Sequence, residues 1–504
     1  MRTRYTLINS IAGLLYKILQ LTSAFIVRYF LTRYFIEDYI GLEGLFSNIV
    51  GFFSIADLGL GAAISFSLYE PIHRKEYAKV NSIMKLYKKV YCVLGVIIII
   101  LAIAILPFIP YLIKGSSLDY RYIQFSFFIY SFGTAITYFF SYNRTLIFAL
   151  QKNYLVLIVD SLTKLFCSIL QIVAIVVLKS YIFYLMFIGI TNFASNIIIS
   201  IICNKIRLHD DQEIQKLPDT YIKKLKKDVK ALAITNVFGK LITATDNILI
   251  SSLVGVIDLA KNSNYSLIIT GVQSLVVVCL EGAKASIGDL IAEKDLKKIN
   301  FYFERYCFAY YGCAMFVASG VFFISEPFIS MWVGNEFLFN IPTLLCTTIN
   351  LYLMLIMQPI ATFQNFGGLY AIYQPIIVKA ALINLFLSII LGLKYKLIGI
   401  FIGTLVSYLY QIYGFGLLLH RYLLHKSSKL FFISQLKYLV VFLGNLLILY
   451  IIGNRLDVGS IFLNFVLRCF ILLFIFFVIF NCFYGENENM KYFKNLIKRR
   501  VLKK

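Results

Sequence analysis

Charge is scarce in this chain. Only 14% of its 504 residues are Asp, Glu, Lys or Arg, where a soluble globular domain carries roughly 25%. That deficit excludes a soluble enzyme with a water-facing surface on all sides. Proline is sparse as well, 8 in all, and Trp occurs once, so long stretches can run as uninterrupted helix. The nine cysteines, Cys92, Cys167, Cys203, Cys279, Cys307, Cys313, Cys346, Cys469 and Cys482, contain no CxxC and are odd in number, which argues against a disulfide framework or a zinc site. They fall in or beside apolar runs and read as reduced packing residues. The histidines, His73, His209, His420 and His425, sit in basic loops without ligand spacing, so no metal is expected. The loops offer no paired carboxylates, no nucleotide motif and no large external segment, which speaks against a membrane polymerase or ligase. The first apolar run is broken by Lys17 and lacks a small-residue cleavage site, unlike a cleavable signal peptide.

What is present is apolar: 60% hydrophobic residues, among them 46 Phe and 36 Tyr, and a mean hydropathy of +0.81. The fold class is an all-α polytopic membrane protein. Runs of about 20 apolar residues place spans at Leu7–Leu31, Ile40–Tyr69, Ile83–Ile113, Tyr122–Leu150, Tyr154–Leu178, Tyr181–Asn204, Lys230–Val254, Asn264–Ala292, Tyr302–Met331, Ile341–Phe363, Tyr370–Leu393, Leu397–Leu424, Ile433–Ile452 and Ile461–Tyr484, about fourteen helices. The net charge of +23 follows from the loops. Arg74 to Lys89, Lys205 to Lys230, Lys294 to Arg305, Arg421 to Lys429 and the tail from Lys494 are basic and fall on one side of such a bundle. Positive loops mark the cytoplasm, so both termini are expected there and no nucleic-acid partner is inferred. Trp332 then belongs at the outer interface.

The long basic loop divides the chain into residues 1–205, a linker 206–229, residues 230–425, and a last hairpin and basic tail over 426–504. One offset relates Gly13 to Gly239 and Tyr39 to Tyr265. The two halves therefore read as a repeat in one membrane orientation, an arrangement that sets a transporter's substrate at the interface of the repeats.

Charges inside spans are costly and mark function by default. The cations are Lys17, Arg28, Arg144, Lys240, Lys284, Lys379 and Arg468; the acids are Asp57, Asp160, Asp246 and Glu281. Cations outnumber acids, as a cavity for an anionic group requires: Arg offers a bidentate fork and Lys a point charge. Lys17, Lys240, Arg28, Arg144 and Lys284 are the expected substrate contacts, Lys17 and Lys240 foremost because they lie too deep to snorkel. Asp57, Asp246 and Glu281 are expected as coupling or structural acids. Asp160 and Lys164, one helical turn apart, read as a self-neutralising pair, and Arg28, Lys284 and Arg468 can also be read as snorkelling to an interface.

DLGLGAAISFSLYEPI from Asp57 and VNSIMKLYKKVY from Val80 resemble oligosaccharide repeat-unit flippases of the Wzx type, the polysaccharide-transport branch of the multidrug/oligosaccharidyl-lipid/polysaccharide exporters. So do DNILISSLVG from Asp246, NSNYSLIITGVQSL from Asn262, ASIGDLIAEKD from Ala285 and MWVGNEFL from Met331. The resemblance implies a two-lobed, MATE-like bundle in the bacterial cytoplasmic membrane and alternating access around a cationic central cavity. It implies an undecaprenyl-diphosphate-linked glycan as substrate and the lipid bilayer, a polysaccharide polymerase and glycosyltransferases as partners. No cofactor is implied; a proton or sodium gradient stands as the option for coupling. Two rivals share the fold. One is a peptidoglycan-precursor flippase, which also takes an anionic lipid. The other is a cation-coupled drug exporter, disfavoured because the first span has Lys17 and Arg28 but no acid.

Overall fold

The computed structural model of the chain describes residues 2–53, 67–69, 71–206, 245–456 and 458–501. Asp57, Lys240, most of the expected linker 206–229 and most of the expected span Lys230–Val254 lie outside the described residues. The described residues form helices and turns, with no strand among them. The long helices are α1 (Arg2–Tyr34), α2 (Glu37–Phe53), α3 (Tyr77–Ile105), α4 (Tyr120–Ala149), α5 (Asn153–Val176), α6 (Tyr181–Ile206), α7 (Val256–Ala292), α8 (Leu296–Trp332), α9 (Ile341–Phe366), α10 (Tyr370–Tyr395), α11 (Leu397–Leu419), α12 (Lys429–Gly453), α13 (Ile461–Tyr484) and α14 (Glu488–Val501). Eleven described helices are long and apolar enough to cross a membrane, each matching an expected span. Among the other expected spans, Asn264–Ala292 is continuous helix within α7, which begins earlier with Asp258 and Lys261 in its first turns.

The chain divides into two compact units, Met1–Ser263 and Asn264–Lys504. In the first, α4 packs against α3 and α6, and α5 against α1 and α6. Gly133 and Gly189 mark where α4 and α6 cross: a Cβ built on Gly133 would stand 2.8 Å from the Gly189 Cα. In lipid no hydrophobic force draws helices together, so close backbone approach at small residues supplies the packing. The connection after α3 is tied down twice. The Asp38 carboxylate, 5% exposed, accepts from the Ser117 N–H at 2.7 Å and from the Ser116 and Ser117 hydroxyls at 2.8 and 3.0 Å. Beside it, the Lys114 N–H donates to the Ser251 carbonyl at 3.1 Å and the Val256 N–H donates to the Lys114 carbonyl at 3.1 Å. Gly255 makes that clasp possible, since its φ of +151° suits a residue without a Cβ.

In the second unit α8 is central, packing against α9, α12 and α13, while α10 and α11 form a tight hairpin. That hairpin is joined by polar contacts: Asn384 donates to Thr404 Oγ1 at 3.1 Å and Ser407 donates to the Ala380 carbonyl at 3.0 Å. Such interhelical bonds hold membrane helices where apolar contact is no better than lipid. Around α8 the core is aromatic, with Tyr311 stacked on Tyr438 at 4.1 Å and Tyr352 on Phe442 at 4.2 Å. Asp295 caps α8 by accepting from the Lys298 and Lys297 N–H groups. The Lys298 N–H is the main cause that holds this carboxyl below its ordinary range.

Two readings are corrected here. Arg468 does not snorkel: it is 6% exposed, paired with Glu326 at 2.9 Å and donating to the Phe323 carbonyl at 3.0 Å. His420 is not a loop residue but is buried in the π turn His420–Leu424 that ends α11. Trp332, at the end of α8, is 8% exposed and packs near Phe328.

Candidate functional site

Helical periodicity builds a polar cavity inside the first unit. Thr134, Thr137 and Arg144 share one face of α4; Asp160, Thr163, Lys164 and Cys167 recur along one face of α5; Asn192, Ser195 and Asn196 do so on α6. With Tyr16 of α1 and Ile188 these residues enclose about 320 Å³, room for several waters.

Arg144 organises it. Its guanidinium grips Asp160 with two parallel bonds, Nη1 to Oδ2 at 2.7 Å and Nη2 to Oδ1 at 2.9 Å. Nε donates to Asn196 Oδ1 at 2.7 Å and Nη2 also to Ser195 Oγ at 3.0 Å, while the Ser195 hydroxyl donates to Asp160 Oδ1 at 2.8 Å. A fork this well satisfied offsets the desolvation of both charges. Asp160 therefore belongs to Arg144 on the neighbouring helix and not, as the one-turn spacing suggested, to Lys164. Lys164 is left lining the cavity with no acid or hydrogen-bond partner among the described residues. One positive charge thus remains uncompensated there.

The other expected contacts are dispersed. Lys17, beside the cavity-lining Tyr16, is half-buried and donates to Gln20 Oε1 at 3.3 Å; no acid partners it among the described residues. Arg28 lies 3.3 Å from Glu43, and Glu43 accepts from the Tyr184 hydroxyl at 2.7 Å, so Arg28 is neutralised within a buried cluster. Lys284 is half-buried on α7 in the second unit and Asp246 half-buried in the first. Glu281 is on α7, its side chain outside the described residues. Arg28 and Arg144 each meet an acid that lies outside the expected contact set. Glu43 was readable as a carboxylate within a span. The Ser195–Asn196 pair carried no signal, because hydroxyl and amide residues are common in membrane helices.

No family model matches the chain, and no curated protein matches it. Solved structures do. A lipid II flippase, MurJ, in an inward closed conformation aligns with a TM-score of 0.72 at 17% identity over 95% of this chain and 99% of its own. An inward-facing multidrug resistance MATE transporter of the MOP superfamily aligns at 0.57 and 13%, over 80% and 97%. A MOP superfamily transporter from Pyrococcus furiosus aligns at 0.54 and 12%, over 82% and 94%. At these identities the likeness is one of fold: the chain is an all-α, MATE-like membrane protein.

Proposed function

We propose that this protein is a flippase of the cytoplasmic membrane that moves undecaprenyl-diphosphate-linked oligosaccharide repeat units to the outer face by alternating access. The observation that carries this reading is Lys164, which lines the cavity without a counter-ion among the described residues beside an arginine already satisfied by its own acid; Lys17 on α1 likewise has no acid partner among them. A cation kept without a counter-ion inside a span is expensive, and an anionic substrate is what relieves it. A diphosphate shed of its hydration gains most from point charges and hydroxyl donors held in a low-dielectric site. Lys240, Arg28 and Lys284 are assigned to the same transport path, with Asp57, Asp246 and Glu281 as coupling or structural acids. A proton or sodium gradient is the proposed energy source, and a polymerase and glycosyltransferases the proposed partners.

The MurJ neighbour is named as a lipid II flippase, which favours a lipid-linked anion over a cationic drug. The motifs at Asp57, Asn262 and Met331 favour repeat units over the peptidoglycan precursor. The test is export in spheroplasts of the native host. Lys17→Ala/Lys240→Ala and Lys164→Gln should accumulate lipid-linked glycan on the inner leaflet while the protein inserts normally. Full export by both variants would defeat the cationic mechanism. Rescue of cells depleted of their lipid II flippase would move the substrate to the peptidoglycan precursor.

A further inference from the structure

A second cavity, of about 420 Å³, lies wholly within the second unit, where α8, the π turn, α12 and the start of α14 meet. It is unlike the first. Asn300 and His420 are buried in its wall, while Glu304, Lys426 and Lys437 stand at its exposed rim. Asn300 closes the inner side by donating to the Leu424 carbonyl at 3.1 Å. His420 donates from Nδ1 to the Gly416 carbonyl at 2.8 Å, so Nε2 is the nitrogen left to meet a ligand. Lys426 faces Glu304 at 4.0 Å, both largely exposed, a pairing weak in itself. Lys437 has no acid or hydrogen-bond partner among the described residues. Glu486 and Glu488 flank the cavity residue Asn487 on the chain, so the positive surplus is small.

The outer wall is apolar and exposed. Leu430 and Ile433 line the cavity and are also 75% and 40% exposed. With Lys437 and Val440 they form one stripe along α12, at helical spacing. Lys437 lies about 12 Å along α12 from its first residue, within a stripe that is otherwise lipid-facing. Its neighbour α14 joins aromatic and basic residues. Tyr492 packs on Phe301 at 5.8 Å, and the Arg305 guanidinium covers Phe301 at 3.2 Å, while Lys491, Lys494 and Lys498 are exposed, a pattern suited to an anionic membrane surface.

We propose that this cavity binds the phosphodiester headgroup of an anionic membrane lipid from the leaflet on the side of α14. Lys437 and Lys426 contact the phosphate, His420 Nε2 accepts from a headgroup hydroxyl, and the acyl chains lie along Leu430, Ile433 and Val440. The small charge surplus selects a singly charged phosphodiester over a phosphate dianion. A free anion would have no use for the apolar wall. The site shares no lining residue with the first unit's cavity, so its test needs no transport assay.

The full chain in detergent is titrated with phosphatidylglycerol, with phosphatidylcholine, and with inorganic phosphate, following thermal stability and intrinsic fluorescence. Phosphatidylglycerol should raise the melting temperature saturably; phosphatidylcholine and inorganic phosphate should not. Lys437→Gln, an exposed position, should weaken the effect at least fivefold, Lys437→Arg should retain it, and Lys164→Gln should leave it unchanged. Equal responses of Lys437→Gln and the unsubstituted protein would overturn the site, and equal stabilisation by phosphatidylcholine would overturn its charge selectivity. Stabilisation by inorganic phosphate alone would overturn its assignment to lipid.

Discussion

Asp160 accepts from two nitrogens of one guanidinium and from the Ser195 hydroxyl. Removing its charge while keeping its shape strands Arg144 inside the bundle. Breaking a fully buried pair costs about 3–5 kcal/mol; partial hydration through the cavity lowers that to about 2 kcal/mol for Asp160→Asn. Thermal unfolding in detergent should show this loss, and Arg144→Met/Asp160→Leu should recover most of it, because neither charge is then left alone. Lys164→Gln is expected to do the opposite: little change in melting temperature, but an about tenfold drop in glycan export, read as accumulation on the inner leaflet. Unchanged export with Lys164→Gln would return the surplus charge to a solvation role. These pairings were only partly legible beforehand. Spacing along one helix suggested Lys164 for Asp160, yet the longer Arg144 reaches it from α4. Register between helices, not within one, makes that choice, and a single sequence does not display it.

Helices were far more legible than partners. Each span needs a run of apolar residues that nothing else in the chain imitates, so hydropathy alone located α3 to α6 and α8 to α13. α7 was harder to place: its start at Val256 precedes the expected Asn264, because Asp258 and Lys261 hide the helix in a hydropathy profile. Crossing points of helices are also unwritten in the pattern, and Gly133 and Gly189 acquire meaning only when they face each other. Gly133→Leu should split α4 from α6, seen as loss of the monodisperse peak in size-exclusion chromatography. Gly444→Ala on α12, where a Cβ would meet nothing within 4 Å, should be neutral or stabilising by up to ~1 kcal/mol. If both variants behave alike, the close crossing does not hold the first unit together.

For the molecule as a whole, the gathering of Lys and Arg in alternate loops, Arg74 to Lys89 and Lys205 to Lys230 among them, predicts sidedness. Fusion reporters at Pro218 and after Lys504 should both read as cytoplasmic, and an external signal at either would reverse the arrangement. The Lys114 clasp has a further consequence, for the order of synthesis. Its partners Ser251 and Val256 come after the long basic loop, so α1 to α6 can all be threaded into the bilayer while the connection after α3 still lacks its backbone mates. A nascent chain halted near Pro218 should therefore show that connection cut readily by protease, and a chain released beyond Ser263 should show it protected. The first unit therefore closes only once the stretch beyond the long basic loop has left the ribosome.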